Sequence, residues 1–158
     1  MKIIVTGAAG AIGSHLAERL IDLNHEVVGI DALTPYYDPK LKQYTAKQLE
    51  EKGVKMFYVN LAHDDLSDIV RDADFVFHLA AQPGISASTP FEDYLNNNII
   101  ATYRILEAVK NNKNLKAFFT TNLEVVIRTI LLVLNTRCLT LSNLWTSTPF
   151  GITSIFPL

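Results

Sequence analysis

The sequence predicts an α/β protein: a doubly wound parallel sheet of five strands in the order 3-2-1-4-5, with helices on both faces. Three observations predict it. A glycine-punctuated turn, Thr6-Gly7-Ala8-Ala9-Gly10-Ala11-Ile12-Gly13, joins the apolar run Ile3-Ile4-Val5 to a helical pattern. Short apolar runs then alternate with amphipathic stretches as far as Thr120, which is the spacing of βαβ units. One run, Asp74 to Leu79, is almost continuously apolar, as a strand covered on both faces must be.

The first strand and its turn carry the strongest chemical signal. Glycine takes positive φ and leaves room for a ligand at the backbone, and the unbonded N–H groups at a helix start face outward with the positive end of the dipole. Such a turn is a pyrophosphate cradle. The spacing here is G-x-x-G-x-x-G, whose less favoured reading is a tight turn that only lets the helix approach the sheet. After it, Ile12, Leu16, Leu20 and Leu23 recur at helical spacing, which predicts an amphipathic helix packing on the sheet through those residues.

Val27-Val28-Gly29-Ile30 is the second strand and ends at Asp31. A doubly wound nucleotide-binding fold presents a carboxylate there to the adenosine ribose hydroxyls, and its charge repels a 2′-phosphate, so NAD is expected over NADP. A loop with Pro35 and Pro39 leads to a polar helix from Leu41 to Glu51, stopped by Gly53. Val54 to Val59 alternates as a third strand, followed by Asn60-Leu61 and a short helix around Leu66, Ile69 and Val70. The fourth strand ends at Ala80-Ala81-Gln82-Pro83-Gly84, where small residues let a cofactor cross closely. Leu95, Ile99, Thr102, Leu106 and Val109 predict a long helix from about Phe91 to Asn111, with Asn98 on its inner side, and Leu115 to Thr120 is the fifth strand.

Length and composition set the frame. A chain of 158 residues matches one domain and can bury a real core, and 49% hydrophobic residues with a net charge of −2 fit a globular protein of the cytoplasm. The 14 basic residues are scattered, so no nucleic-acid partner is expected. Cys138 stands alone, and the four histidines show no ligand spacing, so no metal is expected. The N-terminus is too short and glycine-interrupted for a signal peptide, and the apolar run Ile130 to Leu134 cannot span a bilayer. His78, at the end of a buried strand, reads as a satisfied core histidine rather than a catalytic group.

Four pieces together resemble the extended short-chain dehydrogenase/reductases of the nucleotide-sugar epimerase and dehydratase group: residues 6–16, Val28-Gly29-Ile30-Asp31, His78-Leu79-Ala80-Ala81-Gln82-Pro83-Gly84, and Asn98-Ile99-Ile100-Ala101-Thr102 with Ile105-Leu106-Glu107-Ala108. The loop Pro35 to Lys42 is similar to that of UDP-glucuronate 4-epimerases, with UDP-glucose 4-epimerases next. The resemblance implies a Rossmann-type fold and bound NAD. Gly7, Gly10, Ala11, Ile12 and Gly13 would hold the pyrophosphate and Asp31 the ribose. Asn60 and Leu61 would lie beside the adenine, Leu79, Ala80 and Ala81 along the nicotinamide ribose side, and Asn98 near the cofactor. It further implies a UDP-sugar substrate epimerised at C4 through transient hydride transfer to NAD, a dehydratase being the second reading, and a homodimer paired through long helices. No membrane partner is implied.

Three departures qualify this. Asn60 stands where the family has Asp, keeping an amide oxygen able to accept from the adenine amine. Ser86 stands where sugar-acid epimerases carry Arg. Family catalysis uses a Tyr-x-x-x-Lys pair after the fifth strand, the tyrosinate taking a hydroxyl proton, yet this sequence has no Tyr after Tyr103 and no Lys after Lys116. Tyr36 and Lys40 have that spacing but lie in the loop after strand two, so they are not expected to act. No catalytic residue is therefore assigned, with Thr120 and Thr121 as remnants of the strand-end hydroxyl. Residues 1–121 are expected to form the NAD-binding domain. Residues 122–158, with one acidic residue and two arginines among many Leu, Thr and Ile, read as an aberrant tail from a shifted reading frame in place of a sugar-binding region. The expected alternative to an epimerase portion is an inactive NAD-binding remnant.

Overall fold

The computed structural model describes residues 1–36, 38–84 and 89–120; Tyr37, Ser86, Thr121 and the predicted tail, 122–158, lie outside them. Five parallel strands form one sheet: β1 (Lys2–Thr6), β2 (Glu26–Ile30), β3 (Lys55–Phe57), β4 (Phe75–His78) and β5 (Ala117–Thr120). Their order is β3-β2-β1-β4-β5, as the sequence predicts. Val5 of β1 pairs with Gly29 of β2 on one side and with Phe77 of β4 on the other, so β1 is central and its carboxyl end is the crossover point of the sheet.

The pleat sends alternate side chains to opposite faces and creates two cores. Ile4, Val28, Ile30, Val76 and Phe118 face α3 (Ser67–Val70) and α5 (Ala101–Val109), whose Val70, Ile105, Leu106 and Val109 close that side. Ile3, Val5 and Val27 face α1 (Ala11–Asp22) and α2 (Pro39–Glu51), meeting Ala17, Leu20 and Leu49. At the amino edge, Asp74 joins three strand starts: its Oδ2 accepts the Lys2 N–H at 2.8 Å and its Oδ1 pairs with Lys116 Nζ at 2.8 Å. Both partners hold its carboxyl below the ordinary range.

Helix starts follow local chemistry. Asp38 caps α2 by accepting the Lys40 N–H at 2.9 Å, with Pro39 in the first turn where its missing N–H costs nothing. Gly53, at φ +99°, ends the segment in a conformation open to glycine.

Helix α1 departs from its predicted face. Its buried residues are Gly13, Ser14, Ala17 and Leu20, while Ile12 is 72% exposed and Leu23 40%. The cause is steric: a Cβ on Gly13 would lie 2.1 Å from the Gly7 carbonyl oxygen. The helix can touch the end of β1 only through its smallest residues, and this turns Ile12 outward. The predicted long helix also differs. It begins as α4 (Phe91–Tyr94), continues as a π-helical segment (Leu95–Ile100), and becomes α5. The wider turn changes the facing of the asparagines within it.

These contacts rank the glycines. Gly13→Ala is expected to cost at least about 3 kcal/mol, because backbone stands in the way, whereas Gly29→Ala, whose Cβ would meet the movable Met56 side chain at 2.3 Å, is expected to cost about 1 kcal/mol. Denaturant unfolding of both variants checks the order; equal losses would refute it.

Candidate functional site

A cavity of about 640 Å³ opens at the carboxyl ends of β1, β2 and β4, a volume suited to a cofactor-sized ligand. Its floor is the glycine turn. Gly7, at φ +68°, reverses the chain after β1, and its N–H donates to the Ile30 carbonyl at 2.8 Å. Gly10 donates to the Gly7 carbonyl at 3.0 Å and accepts from Ser14, the first bond of α1. The N–H groups of Ala11, Ile12 and Gly13 have no carbonyl a turn earlier and border the cavity. Gly10 offers no capping side chain, and the first turn has no acidic residue, so the positive helix end stays uncompensated. An anion fits there.

On the second wall, Asp31 follows β2 and is 7% exposed. Its Oδ2 accepts the Ala9 N–H at 3.0 Å and its Oδ1 the Leu33 N–H at 2.8 Å. The carboxylate thus fastens the glycine turn to the loop after β2, and each oxygen keeps a lone pair for a hydroxyl donor. This second duty has no signature in the sequence. The loop also supplies Thr34 and Tyr36 to the wall, and the first turn of α2 supplies Lys42, whose ammonium donates to Thr34 Oγ1 at 3.2 Å. Sequence reasoning left these three out of the site; the resemblance of the loop was the available signal. Tyr36 lines the cavity, while Lys40 gives its backbone N–H to the Asp38 cap of α2 and its side chain is exposed.

Asn60 and Leu61 form the third wall. The Asn60 amide oxygen accepts the Ala62 N–H at 2.9 Å and keeps a second lone pair for a further donor. The Asn60 N–H donates to Asp64, and Arg104 from α5 holds the Asp64 carbonyl at 2.8 Å, so the loop is pinned from outside.

The fourth wall is Leu79, Ala80 and Ala81, with Gln82 and Pro83 beyond. A Cβ on Gly7 would come within 2.9 Å of Ala80 N, so this wall too is positioned by backbone contact. Asn98 stands behind the wall rather than in it. Its Oδ1 accepts the Gln82 N–H at 2.7 Å and its Nδ2 donates to the Gln82 carbonyl at 3.3 Å. Its neighbour Asn97 borders the cavity.

His78 supports the same region from beneath. The Thr102 hydroxyl donates to the Asn98 carbonyl at 2.6 Å, so toward His78 it accepts, from Nε2–H at 2.9 Å. Nδ1 of the neutral ring is then the acceptor for the Thr6 hydroxyl at 2.8 Å, and Thr6 Oγ1 accepts the Ala80 N–H at 3.1 Å. Both ring nitrogens are satisfied, as expected of a core histidine. Thr120 is buried at the end of β5, opposite His78 in register.

A profile of the NAD dependent epimerase/dehydratase family matches residues 3–124. The chain belongs to that family. Among curated family members it is 44% identical over 119 residues to an uncharacterized UDP-glucose epimerase, YtcB, of Bacillus subtilis strain 168, covering 71% of this chain and 37% of that one. It is 37% identical over 116 residues to a probable UDP-glucuronate 4-epimerase of Rhizobium meliloti strain 1021, covering 70% and 34%. Among solved structures, UDP-glucuronic acid 4-epimerase of Bacillus cereus in complex with UDP-glucuronic acid and NAD superposes with a TM-score of 0.79 at 29% identity. That match covers 89% of this chain and 55% of the other. The chain thus spans about a third of the length of the curated relatives it matches. Among the described residues no cluster of metal-ligating side chains occurs, and no helix is long and apolar enough to cross a membrane.

Burial pushes the His78 imidazole down from 6.5 to about 4. Between those values the unfolded chain takes up a proton that the folded chain refuses, so stability rises with pH across the window and falls as pH is lowered. About 3 kcal/mol is expected to be lost from pH 7 to pH 4. Denaturant unfolding at several pH values checks this. His78→Gln should be less stable at pH 7 and show a flatter profile; an unchanged slope would remove His78 as its source.

Proposed function

We propose that residues 1–121 form an NAD-binding unit of the UDP-sugar 4-epimerase type. The observation that carries this reading is the uncapped start of α1, three N–H groups without an acceptor or a compensating acid among the described residues, opening into a cavity whose opposite wall holds a buried carboxylate. The two charges suit the two ends of an adenosine diphosphate: pyrophosphate on the helix and ribose hydroxyls on Asp31. Gly10 leaves room that a side chain would take from the phosphates, Gly7 and Gly13 let the strand end, the helix and the β4 loop meet backbone to backbone, and Ala80 and Ala81 leave the far wall shallow. NAD, when bound, accepts and returns the hydride of a sugar carbinol.

The substrate class follows from the relatives, whose names specify UDP-glucose and UDP-glucuronate. A 4-epimerisation on this scaffold also needs a group that takes the hydroxyl proton. The sequence has no tyrosine beyond Tyr103, and Thr120, a buried hydroxyl of ordinary basicity, does not replace one. We therefore read this chain as holding NAD without epimerising by itself. A nucleotide-sugar dehydratase would need the same dinucleotide site and remains the second reading for the parent chemistry. Pairing through the helix from Phe91 to Val109 is part of the proposal, since Phe91 is 69% and Tyr103 42% exposed there.

Thermal unfolding of the full chain with increasing NAD tests the core claim. At a hundredfold excess over Kd the folded state should gain about 2.7 kcal/mol. No shift at millimolar NAD would refute binding, and interconversion of UDP-glucuronate or UDP-glucose epimers by the pure chain would refute the claim of no turnover. Gly10→Val is the sharper variant, because a Cβ at Gly10 meets only the Gly7 carbonyl oxygen, at 3.1 Å, so the side chain chiefly fills the phosphate space. It should weaken NAD at least about tenfold, the scale of one lost charge-assisted contact. Asp31→Ala should weaken NAD and penalise NADP less, and it should also lower stability by about 2 kcal/mol because two backbone N–H groups lose their acceptor.

A further inference from the structure

Residues 79–84 follow β4 outside any strand or helix, and Gln82 among them is held by a side chain from a distant element. Asn98 takes it at both of its backbone groups, Oδ1 accepting the N–H at 2.7 Å and Nδ2 donating to the carbonyl at 3.3 Å. Asn98 lies in the π-helical segment Leu95–Ile100, between two α-helical stretches. Such wide turns are rare and recur at functional sites. A slip of one residue turns a helix by about 100°, so the register of this segment decides whether Asn98 meets Gln82 at all.

What sets the register is a buried polar path. The Thr102 hydroxyl, in the first turn of α5, donates to the Asn98 carbonyl at 2.6 Å and accepts from His78 Nε2–H at 2.9 Å. Thr102 and His78 are both fully buried. Packing of Ile105 and Leu106 against the sheet is non-directional, whereas a hydrogen bond weakens steeply with angle. The His78 bond therefore ties the start of α5 to the end of β4 at one rotation. We infer that His78 is a positioning residue: through Nε2–H and Thr102 it fixes the π-helical segment against β4, and so sets Gln82 for the half of a dinucleotide beyond the pyrophosphate. The inference rests on the proposal that this cavity holds NAD. With the pyrophosphate at the start of α1 and a ribose at Asp31 on the β2 side, the other half runs to the β4 side, past Ala80, Ala81 and Gln82. The adenosine diphosphate half lies against groups held by other bonds, Ala9 and Leu33 to Asp31 and Gly10 to Gly7.

Calorimetric titration of the full chain with NAD and with ADP tests this through the ratio of the two affinities. An Asn side chain ends two bonds from Cβ, as Nδ1 of histidine does, and a Gln side chain ends three bonds away, as Nε2 does. His78→Asn therefore removes the donor to Thr102, and His78→Gln retains one. In His78→Asn the preference for NAD over ADP should fall about fivefold, the scale of one neutral hydrogen bond, with ADP affinity unchanged. His78→Gln, although less stable, should keep the wild-type ratio. Thr102→Val cuts the same path from its other side and should match His78→Asn, while Thr102→Ser should keep the ratio; the double variant should lose no more than either single one. An unchanged ratio in His78→Asn and Thr102→Val, or the same fall in His78→Gln, overturns the inference and leaves the cofactor reading intact. So does a wild type that binds ADP as tightly as NAD, because the β4 wall then adds nothing. If neither NAD nor ADP binds the wild type, the cofactor reading falls, and this inference with it. Melting curves of each variant confirm that the compared proteins are folded.

Discussion

The first turn of α1 rests directly on the carbonyl of Gly7, with no room for even one carbon between them, and the rest of the site depends on that contact. Because helix and strand end meet backbone to backbone, the three unbonded amides are held at a fixed depth in the cavity. Gly7 touches the start of the β4 loop in the same way, so one residue positions two walls. A site built from side chains would move as rotamers change; a site built from main chain cannot. The free amides and exposed dipole of α1 are unfavourable while unpartnered, and that deficit becomes affinity when an anion arrives.

The polar pieces of the core serve the same geometry. Burying an imidazole in an apolar strand carries a desolvation cost, and the depressed pKa of His78 measures it. Two threonine hydroxyls offset that cost, and the order of donors along Ala80, Thr6, His78, Thr102 and the Asn98 carbonyl is forced by the last bond. The chain therefore links the ends of β1 and β4 to the helix behind them. Asn98 extends it by gripping Gln82 at both its N–H and its carbonyl. The wall that faces the nicotinamide half of the proposed cofactor is thus tied from below and from behind, while its surface stays small and smooth.

Much of this was legible from residue types. Alternation of apolar runs was enough for the five strands and their order, because parallel sheets bury both faces and leave near-continuous hydrophobic stretches. The glycines and Asp31 marked two walls of the cavity. The failures share a cause: periodicity counts apolar residues without knowing which of them the backbone lets near the sheet. Ile12 has the spacing of a core residue, yet Gly13 takes its place because only hydrogen fits. Asn98 has the spacing of an inner-face residue, but the π-helical segment, invisible to a 3.6-residue period, decides that it grips Gln82 while Asn97 borders the cavity.

Dinucleotide binding and acid–base chemistry are physically separable in this architecture. The phosphate, ribose and base contacts proposed for NAD all come from β1, β2, β3, β4 and the turns that follow them, and each is fixed by a bond between described residues. None depends on a group that would take the sugar proton. That group would instead be set against the substrate, to which none of these contacts extends. A scaffold of this kind keeps its affinity for the cofactor when the proton acceptor is lost, because the two functions share no side chain. Retained binding is therefore weak evidence of turnover, which rests on a proton acceptor and not on the glycine turn.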